Sequence, residues 1–167
     1  MKRFLVPVFA VGLMLAAPQA SAQDKASQKF LTKAIEGNYA EVEMGKLAQQ
    51  NGGSDAVKSF GKMLEADHGD ANQKAIQVAQ SLNVTPPSGP NQRQKADHDK
   101  MAKMNGAAFD KMFAEHMTQD HKKDIAEYQK VAKAKDAAGQ YAGNTLPTLK
   151  KHLDTAQSLQ KQKTSAR

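Results

Sequence analysis

Apolar residues recur at steps of three and four along four long stretches of the chain, which is the pattern of amphipathic α-helices. The clearest stretch is FDKMFAEHMTQDHKKDIAEYQKVA, residues 109–132, where two histidines lie on or beside the apolar stripe. The pattern predicts helices at residues 26–50, 54–83, 107–135 and 136–160 and indicates no β-strand. Few aromatic residues and no tryptophan are also typical of helical proteins, so the sequence predicts an all-α fold.

The segments between these helices predict how the helices are arranged. Residues 51–53 (NGG) end the first helix, and Ser54 is a good N-cap for the second. Residues 84–90 (VTPPSGP) contain three prolines, which preclude a helix, and the polar residues 91–103 are expected to regain some helix. Together these residues form a long central connection. Asp136 is predicted to cap the last helix, and Pro147 to kink it. Two helical hairpins with a longer central connection are the plan of a ferritin-like four-helix bundle.

The N-terminal residues have the features of a secretory signal peptide. A basic start is followed by an apolar run at residues 4–17 and by the small residues Ala20-Ser21-Ala22. We therefore expect residues 1–22 to be cleaved, residues 23–162 to form one domain, and residues 163–167 to be a disordered tail. The expected location is periplasmic or secreted.

Charge and cysteine content narrow the functional classes. The formal net charge is +7, but acidic and basic residues are interspersed without a basic block, so we expect no nucleic-acid partner. The chain has no cysteine, which excludes a lipid anchor, disulfides and thiol catalysis. We expect no transmembrane segment in the mature chain.

Four motifs together are specific to a known family. They are AEVEMGKLA, a Met-x-x-x-Asp-His helix, FDKMFAEHMTQDHKKDI and TLPTLKKHLDTAQ. This combination resembles the bacterial family catalogued as domain of unknown function 4142, over residues 29–159. The resemblance implies a ferritin-like four-helix bundle exported to the periplasm or outer membrane. It implies no established activity.

Histidines on three predicted helices lie in or near the apolar seams, where they could meet in the core. Histidine nitrogens and carboxylate oxygens are the ligands that Zn²⁺, Cu²⁺, Fe or Mn would need. The candidate ligands are His68, His121 and His152, together with the carboxylates of Glu36, Glu43, Glu65, Asp67 and Asp120. The sequence therefore predicts a candidate site for one of these metals in the core.

A di-iron carboxylate centre is disfavoured. It needs Glu-x-x-His on two helices and a lone Glu on each of two others. Glu65-x-x-His68 supplies this motif once, whereas Thr118 and Leu149 occupy the matching positions before the other two histidines. Ferroxidase and oxygenase chemistry are disfavoured for the same reason.

Two further interpretations stay open. Met101, Met104, Met112 and Met117 lie near His116 and could indicate copper handling, although methionine at helical spacing is commonly core filler. The three histidines could equally be core residues without a metal, each hydrogen-bonded to a neighbouring carboxylate or hydroxyl group and fixing the register of the helices.

No catalytic motif accompanies the histidines. The chain has no G-x-S-x-G, no H-E-x-x-H and no phosphate-binding glycine loop. We therefore favour a non-catalytic exported protein that serves envelope or stress physiology, with a core that could hold a metal through histidine and carboxylate side chains. The alternatives are a metal-dependent enzyme at the same site, and a metal-free module that interacts with an envelope protein or a small ligand.

Overall fold

The computed structural model describes residues 22–164, with side chains for residues 24–161. Over this part, the chain forms five α-helices and no β-strand, so the predicted all-α class is confirmed. The helices are α1 (Ala22–Asn51), α2 (Asp55–Ser81), α3 (Gln92–Met101), α4 (Gly106–Val131) and α5 (Ala137–Thr164). The predicted signal peptide, apart from its last residue, and most of the predicted tail lie outside the described residues.

The helix ends differ from the prediction by up to four residues, at the start of α1 and at the ends of α4 and α5. Helix α4 stops at Val131 and not at residue 135, because the Ala134 N–H donates to the Val131 carbonyl at 2.9 Å and closes a turn. Asp136 Oδ1 then accepts a hydrogen bond from the Gly139 N–H at 2.8 Å, which confirms the predicted cap.

The central connection contains a helix of its own. Helix α3 begins with a capping box, in which the side chains of Asn91 and Gln94 each accept from the other residue's backbone N–H. The predicted return to helix after the prolines is therefore confirmed. None of the helices in the described part of the chain is both long and apolar enough to cross a membrane.

The long helices pack in pairs. Helix α1 packs mainly against α2, and α4 mainly against α5, while contacts between α2 and α5 join the pairs. Helix α3 contacts α1 and α4. This pairing is the one expected of two helical hairpins, and the finer ferritin-like assignment stays a prediction.

The apolar core is divided into two clusters along the helices. The first apolar cluster includes Leu64, Phe113 and Ala156, and the second includes Ala75 and Leu149. Buried polar residues lie between the two clusters on all four long helices. We call them the polar layer: Asn38, Glu41, His68, Asn72, Thr118, His121 and His152.

Two glycines let α1 and α2 approach closely beside the first apolar cluster. A Cβ atom built on Gly61 would lie 2.6 Å from the Gly45 carbonyl oxygen and 2.8 Å from the Ala48 Cβ. A Cβ atom on Gly45 would lie 2.5 Å from the Gly61 carbonyl oxygen. These contacts are with backbone as well as side-chain atoms, so a larger residue at either position would force the helices apart.

We expect Gly61→Ala to destabilise the protein by about 1–3 kcal/mol, because the added methyl group overpacks the contact between α1 and α2. Gly69→Ala is the matched control in the same helix, since its Cβ would meet nothing within 4 Å. The control should instead stabilise by about 0.5–1 kcal/mol through helix propensity. Urea unfolding followed by circular dichroism measures both, and equal effects of the two substitutions would contradict the close approach.

Candidate metal centre

Three histidines meet at the centre of the polar layer. His68 lies on α2, His121 on α4 and His152 on α5, and their exposed fractions are 4%, 0% and 0%. Their ring centroids are 5.1 to 5.6 Å apart, and one nitrogen from each ring lies within 4.8 Å of the other two. The expected convergence of the three rings is therefore present.

Hydrogen bonds on the outer side of two rings determine where their protons lie. His121 Nδ1 donates to the Met117 carbonyl at 2.9 Å, and His152 Nε2 donates to Asp67 Oδ2 at 2.8 Å. A carbonyl and a carboxylate only accept, so these nitrogens must carry the hydrogens. In the neutral rings, His121 Nε2 and His152 Nδ1 then present lone pairs, and these two atoms are 3.3 Å apart. No proton of a neutral ring lies between them.

The third ring follows the same arrangement. The Asn38 amide nitrogen donates to Tyr141 Oη at 3.1 Å, which leaves the Asn38 oxygen to accept from His68 Nδ1 at 3.0 Å. His68 Nε2 is left with its lone pair, and it is buried without a hydrogen-bond partner. Each ring thus donates one N–H to an outer acceptor and keeps one nitrogen as a lone-pair donor.

The surroundings keep the rings neutral. Burial, with a smaller contribution from the nearby His152, lowers the pKa of His121 to about 4. Burial also lowers the pKa of His68, with contributions from both other rings. The pKa of His152 is lowered by burial, although the Asp67 carboxylate opposes the shift. Neutral imidazole is the form of histidine that binds metals.

Unpaired polar atoms are concentrated in the polar layer. Within the described side chains, four buried polar atoms have no hydrogen-bond partner: Glu41 Oε2, His68 Nε2, Asn72 Oδ1 and Thr118 Oγ1. All four belong to the polar layer. Buried polar groups normally have partners, so these four atoms are available to a ligand, an ion or water.

Asp67 takes a different role from the predicted one of direct ligand. Its carboxylate binds the far nitrogen of His152 on another helix and is 35% exposed. Neighbouring residues on a helix point about 100° apart, so Asp67 does not face the same way as His68. A carboxylate on the outer nitrogen of a histidine orients the ring and raises its basicity.

The other predicted carboxylates do not belong to the histidine group. Glu43 is exposed on α1. Glu36 Oε2 accepts from the Asn91 amide at 3.1 Å, and Glu65 Oε2 accepts from the Gln49 amide at 2.7 Å. Asp120 pairs with His116, whose Nε2 lies 3.2 Å from Asp120 Oδ2. Among the described residues, only the three histidines form a group of three or more potential ligands close enough to share an ion.

The four methionines lie in or against the first apolar cluster. Met101 and Met117 are buried in the first apolar cluster, and Met104 and Met112 pack against it. Their role is therefore core packing, as methionine at helical spacing commonly has.

Sequence reasoning missed the contribution of α1 to the polar layer. Asn38 and Glu41 are both buried, and with Ile35 and Met44 they follow each other at steps of three on one helix face. Tyr39 and Val42 are the apolar residues at the next helical steps from Ile35, and they are only half-buried. The spacing of three residues from Ile35 to Met44 could have revealed this buried face, but the two positions between them are polar.

A cavity of about 240 Å³ adjoins the centre on the side of α1 and α4, and His68 is one of its lining residues. Carboxylates predominate among its charged groups. Burial raises the pKa of Glu41 well above its usual value, and the nearby Asp124 and Asp120 raise it further. Burial raises the pKa of Asp124 to about 7, with Asp120 and Glu127 adding to the shift against the opposing Lys123 and Lys33.

Fold and site together define the class: an all-α protein whose buried polar layer contains a three-histidine centre. The profile of the family described as Domain of unknown function (DUF4142) matches residues 13–159, which is most of the chain. The protein therefore belongs to the DUF4142 family, as the sequence motifs indicated. The comparisons with curated proteins and with solved structures gave no match.

We expect Asp124→Asn to stabilise the protein increasingly as the pH rises from about 4 to 7. The folded protein keeps a proton on Asp124 up to about pH 7, whereas an unfolded aspartate loses it near pH 3.9. Asp124 therefore lowers the free energy of unfolding across this window, and asparagine removes the effect. Urea unfolding at pH 4.5 and 7.5 tests this. The exposed Asp154→Asn is the control, and the same pH dependence in both variants would contradict the shifted pKa.

Proposed function

We propose that this protein binds one transition-metal ion between His68, His121 and His152. The observation that carries the proposal is the 3.3 Å separation of His121 Nε2 and His152 Nδ1, two lone-pair nitrogens with no proton of a neutral ring between them. Two lone pairs at this distance repel each other unless a cation lies between them. The lowered pKa values of the rings disfavour a proton between the two nitrogens at neutral pH. A metal ion is the cation that can take this position.

The spacing of the His121 and His152 nitrogens suits a tetrahedral ion, and the His68 nitrogen, within 4.8 Å of both, completes the ligand set by a small side-chain movement. Two ligands about 2.0–2.1 Å from Zn²⁺ and at a tetrahedral angle are about 3.3–3.4 Å apart, which agrees with the observed pair. Imidazole donors suit Zn²⁺, Cu²⁺, Fe and Ni, whereas Mn²⁺ prefers oxygen. Zn²⁺ or Cu²⁺ is therefore the proposed occupant, and the outer hydrogen bonds supply the second shell that histidine ligands normally have.

We further propose that the protein is an exported, ferritin-like four-helix bundle. It would work in the bacterial envelope, in metal or stress physiology. The signal-peptide pattern of residues 1–22 supports export. The pairing of α1 with α2 and of α4 with α5 supports the bundle. The core position of the histidines also agrees with bundle proteins, which build metal sites from side chains on facing helices.

A metal-dependent enzyme at the same site is the second candidate. Three protein ligands leave a fourth position on a tetrahedral ion, as in catalytic zinc sites. His68 also lines the 240 Å³ cavity, which offers a route for a small molecule. A metal-free interaction module is the third candidate, and it is the one that failure to bind any metal would favour.

We expect the chelator-stripped protein to take up one equivalent of Zn²⁺ or Cu²⁺, measured by elemental analysis after gel filtration. A His68→Ala, His121→Ala double variant should take up none, because it loses two of the three donors. At a free metal concentration 100 times Kd, the free energy of unfolding of the intact protein should rise by about 2.7 kcal/mol. This corresponds to a rise in Tm of roughly 5–10 °C.

His98→Ala is the control for this experiment, since His98 lies on α3 outside the centre. It should bind metal as the unchanged protein does. Absence of stoichiometric metal, with Tm unaffected by Zn²⁺, Cu²⁺, Fe²⁺ or Mn²⁺, would contradict the proposal. Hydrolytic or redox turnover that follows metal occupancy would favour the enzyme.

We expect Asp67→Asn to weaken metal binding by about 10–100-fold while the fold is retained. The amide oxygen can still accept from His152, but it lacks the charge that raises the basicity of the ring. Competition with a chromogenic chelator measures the change in Kd. Asp70→Asn, an exposed position one turn along α2, should leave Kd unchanged, and an equal effect of both variants would show that Asp67 has no special role.

A further inference from the structure

The cavity beside the histidine centre has a second set of donors, and these are oxygens. It is bounded by residues of α1, α3 and α4, and its volume is about 240 Å³. This is many times the roughly 10–15 Å³ that one water needs, so the cavity has room for an ion with part of its water shell. Its inner carboxylates are Glu41 from α1 and Asp120 and Asp124 from α4.

Glu41 is the residue that points to a ligand. Its exposed fraction is 6%, and its Oε2 atom is buried without a hydrogen-bond partner. A buried carboxylate without a partner is destabilising unless it holds a proton or binds a cation. Two further carboxylates act on Glu41 electrostatically, so a positive charge in the cavity would stabilise all three.

The lysine and arginine residues that line the cavity are Lys33, Arg93 and Lys123, and the two lysines are paired with carboxylates. Lys33 Nζ lies 3.2 Å from Glu127 Oε1, and Lys123 Nζ lies 3.4 Å from Asp120 Oδ1. Both lysine side chains are more than half exposed. Within the described residues, no ion pair links a basic group to Glu41.

We propose that this cavity is a second cation site, separate from the histidine centre, which binds a hard divalent cation of the Mn²⁺, Mg²⁺ or Ca²⁺ type. Oxygen donors select these ions, whereas the three imidazoles select Zn²⁺ or Cu²⁺. The carboxylates do not form a group close enough to share a bare ion. The ion therefore keeps part of its water shell, with Glu41 as the inner ligand and Asp120 and Asp124 reached through water or by small side-chain movements.

The two proposed sites are neighbours, but they prefer different metal ions. His68 lines the cavity as well as belonging to the histidine centre. An ion bound by Glu41 would thus lie close to an ion bound by the histidines. The second site does not require the first, because none of its oxygen ligands belongs to the histidine centre.

The test is a titration with Mn²⁺ that is monitored by electron paramagnetic resonance. Free Mn²⁺ gives a sharp signal, and Mn²⁺ bound to the protein no longer contributes to it. The chain is first stripped with chelator and then given one equivalent of Zn²⁺, so that the histidines are not available to Mn²⁺. We expect one saturable Mn²⁺ site. Glu41→Gln should weaken it by about 10–100-fold or more, because a single carboxylate ligand is lost without a change of shape.

Glu43→Gln is the matched control, since Glu43 is two residues away on the same helix and exposed. It should leave the Mn²⁺ affinity unchanged. Asp124→Asn should also weaken Mn²⁺ binding, and it provides a second variant if Glu41→Gln fails to fold. Circular dichroism establishes the fold of each variant before titration.

Absence of saturable Mn²⁺ binding, or equal binding by the unchanged protein and Glu41→Gln, would overturn the proposal and leave Glu41 as a buried protonated acid. Zn²⁺ uptake in the first step is measured separately. Mn²⁺ binding that depends on Glu41 without Zn²⁺ uptake would support the second site and contradict the histidine centre. The opposite result would contradict only the second site.

Discussion

The centre of this protein depends on three hydrogen bonds that point away from it. Met117 O, Asp67 and Asn38 each accept an N–H from one histidine ring. These acceptors hold the protons on the outer nitrogens and leave lone pairs on the others. The 3.3 Å approach of His121 Nε2 to His152 Nδ1 follows from this arrangement and would be unfavourable between neutral rings alone. The proposed metal ion removes that conflict.

The polar layer explains why the centre is placed between two apolar clusters. The clusters bury the large side chains of all four long helices and hold the backbones in place on either side of the layer. Each unpaired buried polar group costs roughly 1–3 kcal/mol, so several of them in one layer represent a large loss of stability. The layer therefore favours a species that supplies partners to these groups. Its position within a rigid core is what a preorganised ligand site requires.

The fold class and the three histidines could be predicted because both depend on periodicity, which a single sequence contains. The motifs also indicated the family. The oxygen atoms that contact the histidines could not be assigned from the sequence. A contact between two helices depends on how each helix is rotated about its own axis. Asp67 reaches His152 and not its own neighbour for that reason. On α1, a rotation by one position decides between Tyr39 and Val42, which are half-buried, and Asn38 and Glu41, which are buried. The hydrophobic pattern favours the wrong pair there, because the buried face carries the polar residues.

The tautomers of the three rings are the most direct test, and long-range ¹H–¹⁵N correlation of the metal-free protein near neutral pH measures them. The expected result is three neutral imidazoles, with the proton on Nδ1 of His68 and His121 and on Nε2 of His152. Addition of one equivalent of Zn²⁺ should then shift the three unprotonated nitrogens and leave the protonated ones bonded to hydrogen. A charged imidazolium, or a proton found between His121 and His152, would contradict the account.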